Sequence, residues 1–323
     1  MAGQDSANGA DDTRVVAVSV DLDAVACYYR IHGLPGTPPE RARFAVLRRC
    51  LPRFAELFAR HGVRATFFVV GGDLEEDAEG GRLLGELARD GHELANHTHR
   101  HPYDFVRLGD AALSDEIDRA HQAIATCAGA PPVGFRAPGY EISARVIALL
   151  GARAYRYDSS LLPSPAYFAA KALVMARMGL RGQRSASILG NPLAPFGARR
   201  PHQFGGAGLL ELPMAVTPLA RVPIIGTSLV LAPEWLRRRL VAGALRAPLF
   251  NLELHGIDLA DAEADEMPPA LVARQPDLRR PLAAKLAALD ATLTEARAAG
   301  ARFATLAEVA AASPAISPPR SVG

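Results

Sequence analysis

The strongest constraint on this chain is a rhythm of short apolar, β-rich runs separated by helical stretches. The runs are RVVAVSV (14–20), RATFFVVGG (64–72), HELAN (92–96), VGFRAPG (133–139), RAYRYDSS (153–160), LLELPMAV (209–216), LFNLELHG (249–256) and ARFATL (301–306). Between them, apolar residues recur at helical spacing over 40–62, 75–91, 113–129, 142–152, 233–245 and 279–300, with Pro52 as a kink in the first of these helices. Alternation of this kind implies an α/β fold with parallel pairing. Seven or eight such units in 323 residues suit a distorted (β/α)7–8 barrel better than an open sheet.

In a barrel the polar groups at the C-terminal ends of the strands gather on one rim. Asp21 and Asp23 follow the first run, and His97, His99 and His101 follow the third. Arg136, Gly139 and Tyr140 lie in or just after the fourth, Asp158 near the end of the fifth, and His255 near the end of the seventh. Carboxylates, imidazoles and a guanidinium are therefore expected to converge.

Composition narrows the alternatives. The chain is 49% apolar and 22% charged, enough for a full core, and its net charge of +2 gives no global field for nucleic acid. Three cysteines without a CxxC, Cys27, Cys50 and Cys127, argue against a disulfide framework and for a reducing cytoplasm. Residues 1–13 are polar and lack the basic and apolar regions of a secretory signal; we expect them, and 313–323, to be tails around a catalytic domain at 14–312.

The stretch NHTHRHP (96–102) carries three histidines on alternate residues. On a helical turn, residues i and i+4 share a face, which selects His97 and His101 as a metal pair and turns His99 outward. Two imidazoles on a catalytic ion call for a third protein ligand, and VDLDA supplies it. One of its aspartates can bind while the other stays free as a base. The competing H-x-H pattern of amidohydrolase barrels belongs on a first strand, whereas here it follows the third.

Taken together, these residues resemble the polysaccharide deacetylase family, carbohydrate esterase family 4. Five short motifs match in order over about 14–306: SVDLD (19–23), HTHRH (97–101), RAPGY (136–140), YDSS (157–160) and LELH (252–255). The resemblance implies a metal-dependent hydrolase that removes an N-acetyl or N-formyl group from an amino sugar. Asp23, His97 and His101 would hold one divalent ion, Zn²⁺ first, with Co²⁺, Ni²⁺ or Mn²⁺ also suited to such ligands. Asp21 would act as base, Arg136 would hold Asp21 ionised, and His255, steadied by Asp158, would protonate the leaving amine. A backbone N–H near Gly139 and Tyr140 would stabilise the oxyanion, and Leu252 would pack against the acyl group.

Two departures stand out. Leu22 separates the aspartates, as in the D-x-D branch with peptidoglycan-deacetylase-like and allantoinase-like members, and Gly139 stands where the third motif usually has tyrosine. That branch keeps hydrolysis of a cyclic amide or ureide as an alternative, and a non-catalytic carbohydrate-binding relative is a third. An insert at 161–208 is apolar and basic, and residues 159–210 contain no Asp or Glu. Such a segment suits a lid, an oligomer surface or a peripheral contact with anionic lipid at the inner face of a membrane, and a lipid-linked glycan precursor as substrate.

Overall fold

The structure, a computed structural model, describes residues 14–205 and 208–313. The two expected tails lie outside the described residues, except for Ser313. Among the described residues, nine strands form one sheet: β1 Val15–Asp21, β2 Thr66–Val69, β3 Glu93–Asn96, β4 Gly134–Phe135, β5 Tyr157–Asp158, β6 His202–Gln203, β7 Leu210–Glu211, β8 Leu249–His255 and β9 Arg302–Ala304. Their order is β6-β7-β5-β4-β3-β2-β1-β8, with β9 also pairing with β1. Every pairing is parallel except β6 with β7. The sheet curls until its ends meet: the Ala215 N–H donates to the Asn251 carbonyl at 3.0 Å, and the Asn251 side chain donates to the Leu212 carbonyl at 2.8 Å. The expected (β/α) barrel is thus present and distorted. The distortion lies partly at β1, whose one edge is shared by β9 at Val15–Ala17 and β2 at Ser19–Asp21.

Side-chain alternation divides the barrel. Val16, Val18 and Val20 of β1 and Phe250, Leu252 and Leu254 of β8 join the main core beneath the helices. The intervening Ser19, Asp21, Asn251 and Glu253 are also buried, on the opposite face. There Ser19, Asp21 and Asn251 join a polar network centred on Arg136 and Ser159, and Glu253 accepts from the Tyr140 hydroxyl. Most polar groups of this interior are paired with one another, which offsets the cost of burying them, while Asn251 Oδ1, Glu253 Oε2 and Glu211 Oε2 have no hydrogen-bond partner.

Two expected helices are broken. The 40–62 stretch divides into Glu40–Arg43, a wide π turn at Val46–Cys50 and a helix at Leu51–Arg60. Pro52 sits at the start of that last helix, where its missing N–H is tolerated, and the wide turn before it takes up the irregularity. The 75–91 stretch divides at Asp77, which is not helical (φ −130°) and caps the helix Ala78–Arg89 by accepting from the Gly80 N–H at 3.0 Å. The insert is not wholly external. Its helix, Pro165–Leu180, follows the Ser164 cap, and its later part supplies β6 to the sheet.

Candidate active site

Asp21 and Asp23 leave the end of β1 on the same side, because the residue between them, Leu22, turns into the helix-facing core. The register places Asp21 beside His255 of β8 and Phe68 of β2. Asp21 meets the Arg136 guanidinium at 2.5 Å, and both are buried. Arg136 also donates to the Ser159 carbonyl (2.8 Å), the Ser159 hydroxyl (2.9 Å) and the Ser19 hydroxyl (3.1 Å), and it lies over the Phe68 ring. Four anchors fix the guanidinium, and the guanidinium fixes the carboxylate.

Asp23 faces the histidines. Its Oδ1 lies 3.2 Å from both His97 Nε2 and His101 Nε2, and the three residues form a buried cluster whose ligand atoms lie within 4.8 Å of one another. His97 Nδ1 is 2.7 Å from the Arg136 carbonyl, which can only accept. The ring proton is therefore on Nδ1, and the Nε2 lone pair points at a carboxylate oxygen that has no hydrogen-bond partner. Lone pairs converging in a buried spot repel one another unless a cation stands between them, so this donor set fits a divalent ion. The fields agree. Burial pushes the Asp23 carboxyl up, but His101 and His97 overcome this and hold it well below the usual range. Burial lowers the His101 pKa below its ordinary value against the opposing pull of Asp23.

The two histidines do not meet by sharing a helical face. Residues 97–101 form an irregular turn in which Thr98 (φ 64°) and His101 (φ 53°) adopt left-handed backbone. Neighbours hold this strained loop. Asn96 Oδ1 accepts from the Thr98 N–H and Thr98 Oγ1 from the His101 N–H, while buried Glu116 accepts from the His99 and Arg100 N–H groups at 3.0 and 2.8 Å. His99 is turned away from the cluster as expected, but it is buried rather than outward. It packs on Gly71 and Gly72, where a Cβ would meet His99 Nδ1 at 3.2 Å and its carbonyl oxygen at 2.7 Å respectively.

His255 stands opposite, with its Nδ1 3.3 Å from Glu253 Oε1 and its Nε2 3.4 Å from the Tyr140 hydroxyl. Burial alone would lower its pKa, but Glu253, Asp23, Asp21 and Asp258 together push it up to about 9, so it is an imidazolium at neutral pH. Two sequence expectations are corrected here. Asp158 is not the partner of His255. Its carboxylate accepts from the Ser160 hydroxyl at 2.7 Å and lies against Glu211, its register partner on β7. The acids that act on His255 are Glu253 on its own strand, Asp23 and Asp21 at the end of β1, and Asp258 in the following turn. Leu252 does not face the pocket either. It stands three residues before His255, so strand alternation sends it to the helix-facing core, in register with Val18.

Gly139 and Tyr140 line the pocket with consecutive left-handed φ values of 67° and 65°. The Tyr140 hydroxyl donates to Glu253 at 2.7 Å. The pocket holds about 350 Å³ and contains Asp21, Asp23, His97, His101 and His255, with Tyr28, Tyr103, Tyr167, Ile225 and Leu231 among its apolar walls. Sequence reading missed Glu253, Glu116 and Lys171. Glu253 had a signal: an acid two residues before a histidine on a strand shares its face. Glu116 and Lys171 sit on helices whose local pattern says nothing of the site.

Residues 45–157 match the polysaccharide deacetylase family model. A chitooligosaccharide deacetylase of Bradyrhizobium sp. is 39% identical over 90 residues, covering 28% of this chain and 39% of that one. A peptidoglycan deacetylase of Helicobacter pylori is 28% identical over 149 residues, covering 46% and 50%. The chain spans between 29% and 50% of the length of the first curated relatives it matches. Two crystal structures assigned by name to the polysaccharide deacetylases share the fold. One from Mycobacterium smegmatis has a TM-score of 0.58 at 20% identity, covering 93% of this chain and 89% of that one. One from Pseudomonas aeruginosa has a TM-score of 0.57 at 13% identity, covering 93% and 91%.

Proposed function

Because this chain belongs to the polysaccharide deacetylase family, we propose that it is a metal-dependent hydrolase removing an N-acetyl or N-formyl group from an amino sugar. The observation that carries this reading is Asp23 Oδ1 at 3.2 Å from two imidazole nitrogens, beside a second carboxylate held by a buried arginine. Asp23, His97 and His101 would hold the ion, and one carboxylate with two imidazoles suits Zn²⁺. When bound, the ion polarises the acyl carbonyl and makes a water more acidic.

The chain's own groups do the rest. Asp21 takes the proton of the attacking water, and Arg136 keeps its carboxylate oriented and ionised. Within the 138–140 turn Pro138 has no N–H and the Tyr140 N–H donates to the Ala137 carbonyl at 3.4 Å, so the Gly139 N–H is the donor for the developing oxyanion. His255 gives its proton to the leaving nitrogen as the C–N bond breaks. An amine is a poor leaving group, so a site with an imidazolium opposite a carboxylate base suits amide hydrolysis. Glu253, rather than Asp158, keeps that imidazolium charged.

The reading extends to a lipid-linked substrate and to peripheral contact with an anionic membrane through 161–208. Among the described residues, the exposed large apolar side chains fall between Leu173 and Trp235, beside a segment without acids. No helix among the described residues is long and apolar enough to cross a membrane. Flotation with anionic vesicles tests the contact, and absence of binding removes it. The hydrolase reading is tested by incubating metal-loaded protein with N-acyl amino sugars, free and lipid-linked, and following acyl loss by mass spectrometry. Loss of 42 or 28 mass units, roughly an acetyl or formyl group, is the expected result for a hydrolysis of this class. Unchanged mass across the set would overturn it.

A further inference from the structure

The insert contributes a charged group to the pocket. We infer that Lys171 recognises an anionic substituent, a phosphate or a carboxylate, on the amino sugar whose acyl group faces Asp23, His97 and His101. This inference rests on the deacetylase reading of the site.

Lys171 lies midway along the helix Pro165–Leu180, which starts from the Ser164 cap, so its stem is carried by a rigid element. Among the described residues lining the pocket, it is the one lysine or arginine. Its Nζ lies 3.4 Å from the Gly139 carbonyl, at the turn beside Tyr140, and 5.6 Å from the Phe168 ring centroid. An ammonium has three donors, and one long bond to a carbonyl leaves most of that capacity open.

No carboxylate among the described residues lies within 4.0 Å of Lys171. Glu141 is near enough for its field to act, but its two oxygens accept from the Gly190 and Asn191 N–H groups at 2.9 and 3.1 Å. The insert cannot supply a counter-charge either, since 159–210 contains no acid. The carboxylates of the pocket itself belong to the metal cluster and the Arg136 pair. Burial lowers the Lys171 pKa, with Glu141 opposing this. A ligand anion would offset that cost and complete the site.

Isothermal titration of metal-loaded protein with three probes tests this inference: N-acetylglucosamine, N-acetylglucosamine 1-phosphate and N-acetylmuramic acid. At least one charged probe should bind about ten-fold more tightly than the neutral one, the size expected for one charge-assisted hydrogen bond. The probe that gains identifies phosphate or carboxylate as the group read. Lys171→Gln should erase the advantage without changing the neutral probe, and Lys171→Arg should retain most of it. Three results would each overturn the inference: charged probes that bind no tighter than the neutral one or not detectably; an advantage that survives Lys171→Gln, which would place the anion on the metal; or equal weakening of all three probes, which would make Lys171 a general structural or transition-state group. Acetate release from a neutral chitooligosaccharide, measured in parallel, reports on the deacetylase reading independently.

Discussion

The floor of the pocket and its insert-borne wall are built in opposite ways. On the floor, Asp21, Asp23, His97, His101 and Arg136 are all buried and tied to strand ends. Arg136 alone makes four polar contacts. The wall comes from an acid-free segment with exposed Leu173, Val174, Leu180, Leu193 and Phe196, and among the described residues its one charged contribution to the pocket is Lys171. A preorganised floor suits chemistry, which needs fixed geometry, while a loosely committed wall suits selection among substrates. Substitutions on the floor should therefore change turnover, and substitutions on the wall should change which ligand binds.

The sharpest break in this contrast is Asp21→Asn. Loss of the base should cut kcat by about 10²–10⁴-fold in steady-state assays, with folding intact. Glu253→Gln comes next. With the His255 imidazolium as the proposed proton donor, charged up to about pH 9, activity should fall as pH rises through about 9. Removing Glu253, the strongest electrostatic attraction on His255, should move that alkaline limb to lower pH, as read from a kcat/KM profile. An unmoved limb would place the titrating group elsewhere.

Leu252→Ala tests the corrected position of that residue. Because Leu252 is in the core under the helices, the substitution should cost about 2–5 kcal/mol in chemical denaturation and leave KM unchanged. A raised KM with little loss of stability would return Leu252 to the pocket. The smallest effect on metal is expected for His99→Gln, which should leave metal content near that of the wild type, since His99 faces Gly71 and Gly72 and not Asp23.

Much of this was legible in the sequence for a physical reason. A parallel barrel sends the end of each strand to the same rim, so a polar residue closing an apolar run can be placed without knowing the structure. Asp21, Asp23, His97, His101, Arg136 and His255 were all found that way. The misses arose where strand-end logic says nothing about direction or neighbours. Asp158 does close its strand, but rim membership does not specify which neighbour it meets, and it meets Ser160 and Glu211. Leu252 was assigned by motif position where alternation would have sent it outward. The histidine turn was read as helical because the left-handed residues Thr98 and His101 leave no mark in a pattern of residue types. Lys171 sits in a helix whose periodicity does not point to any core, so only the folded chain brings it to Gly139.

The central claim is a division of labour between two aspartates two residues apart, and metal stoichiometry measures it directly. Elemental analysis of purified Asp21→Asn and Asp23→Asn proteins, each loaded with Zn²⁺ and dialysed beside the wild type, should give one bound ion per chain for wild type and Asp21→Asn and none for Asp23→Asn. An Asp21→Asn protein without metal, beside an Asp23→Asn protein that retains it, would reverse the assignment and contradict this account.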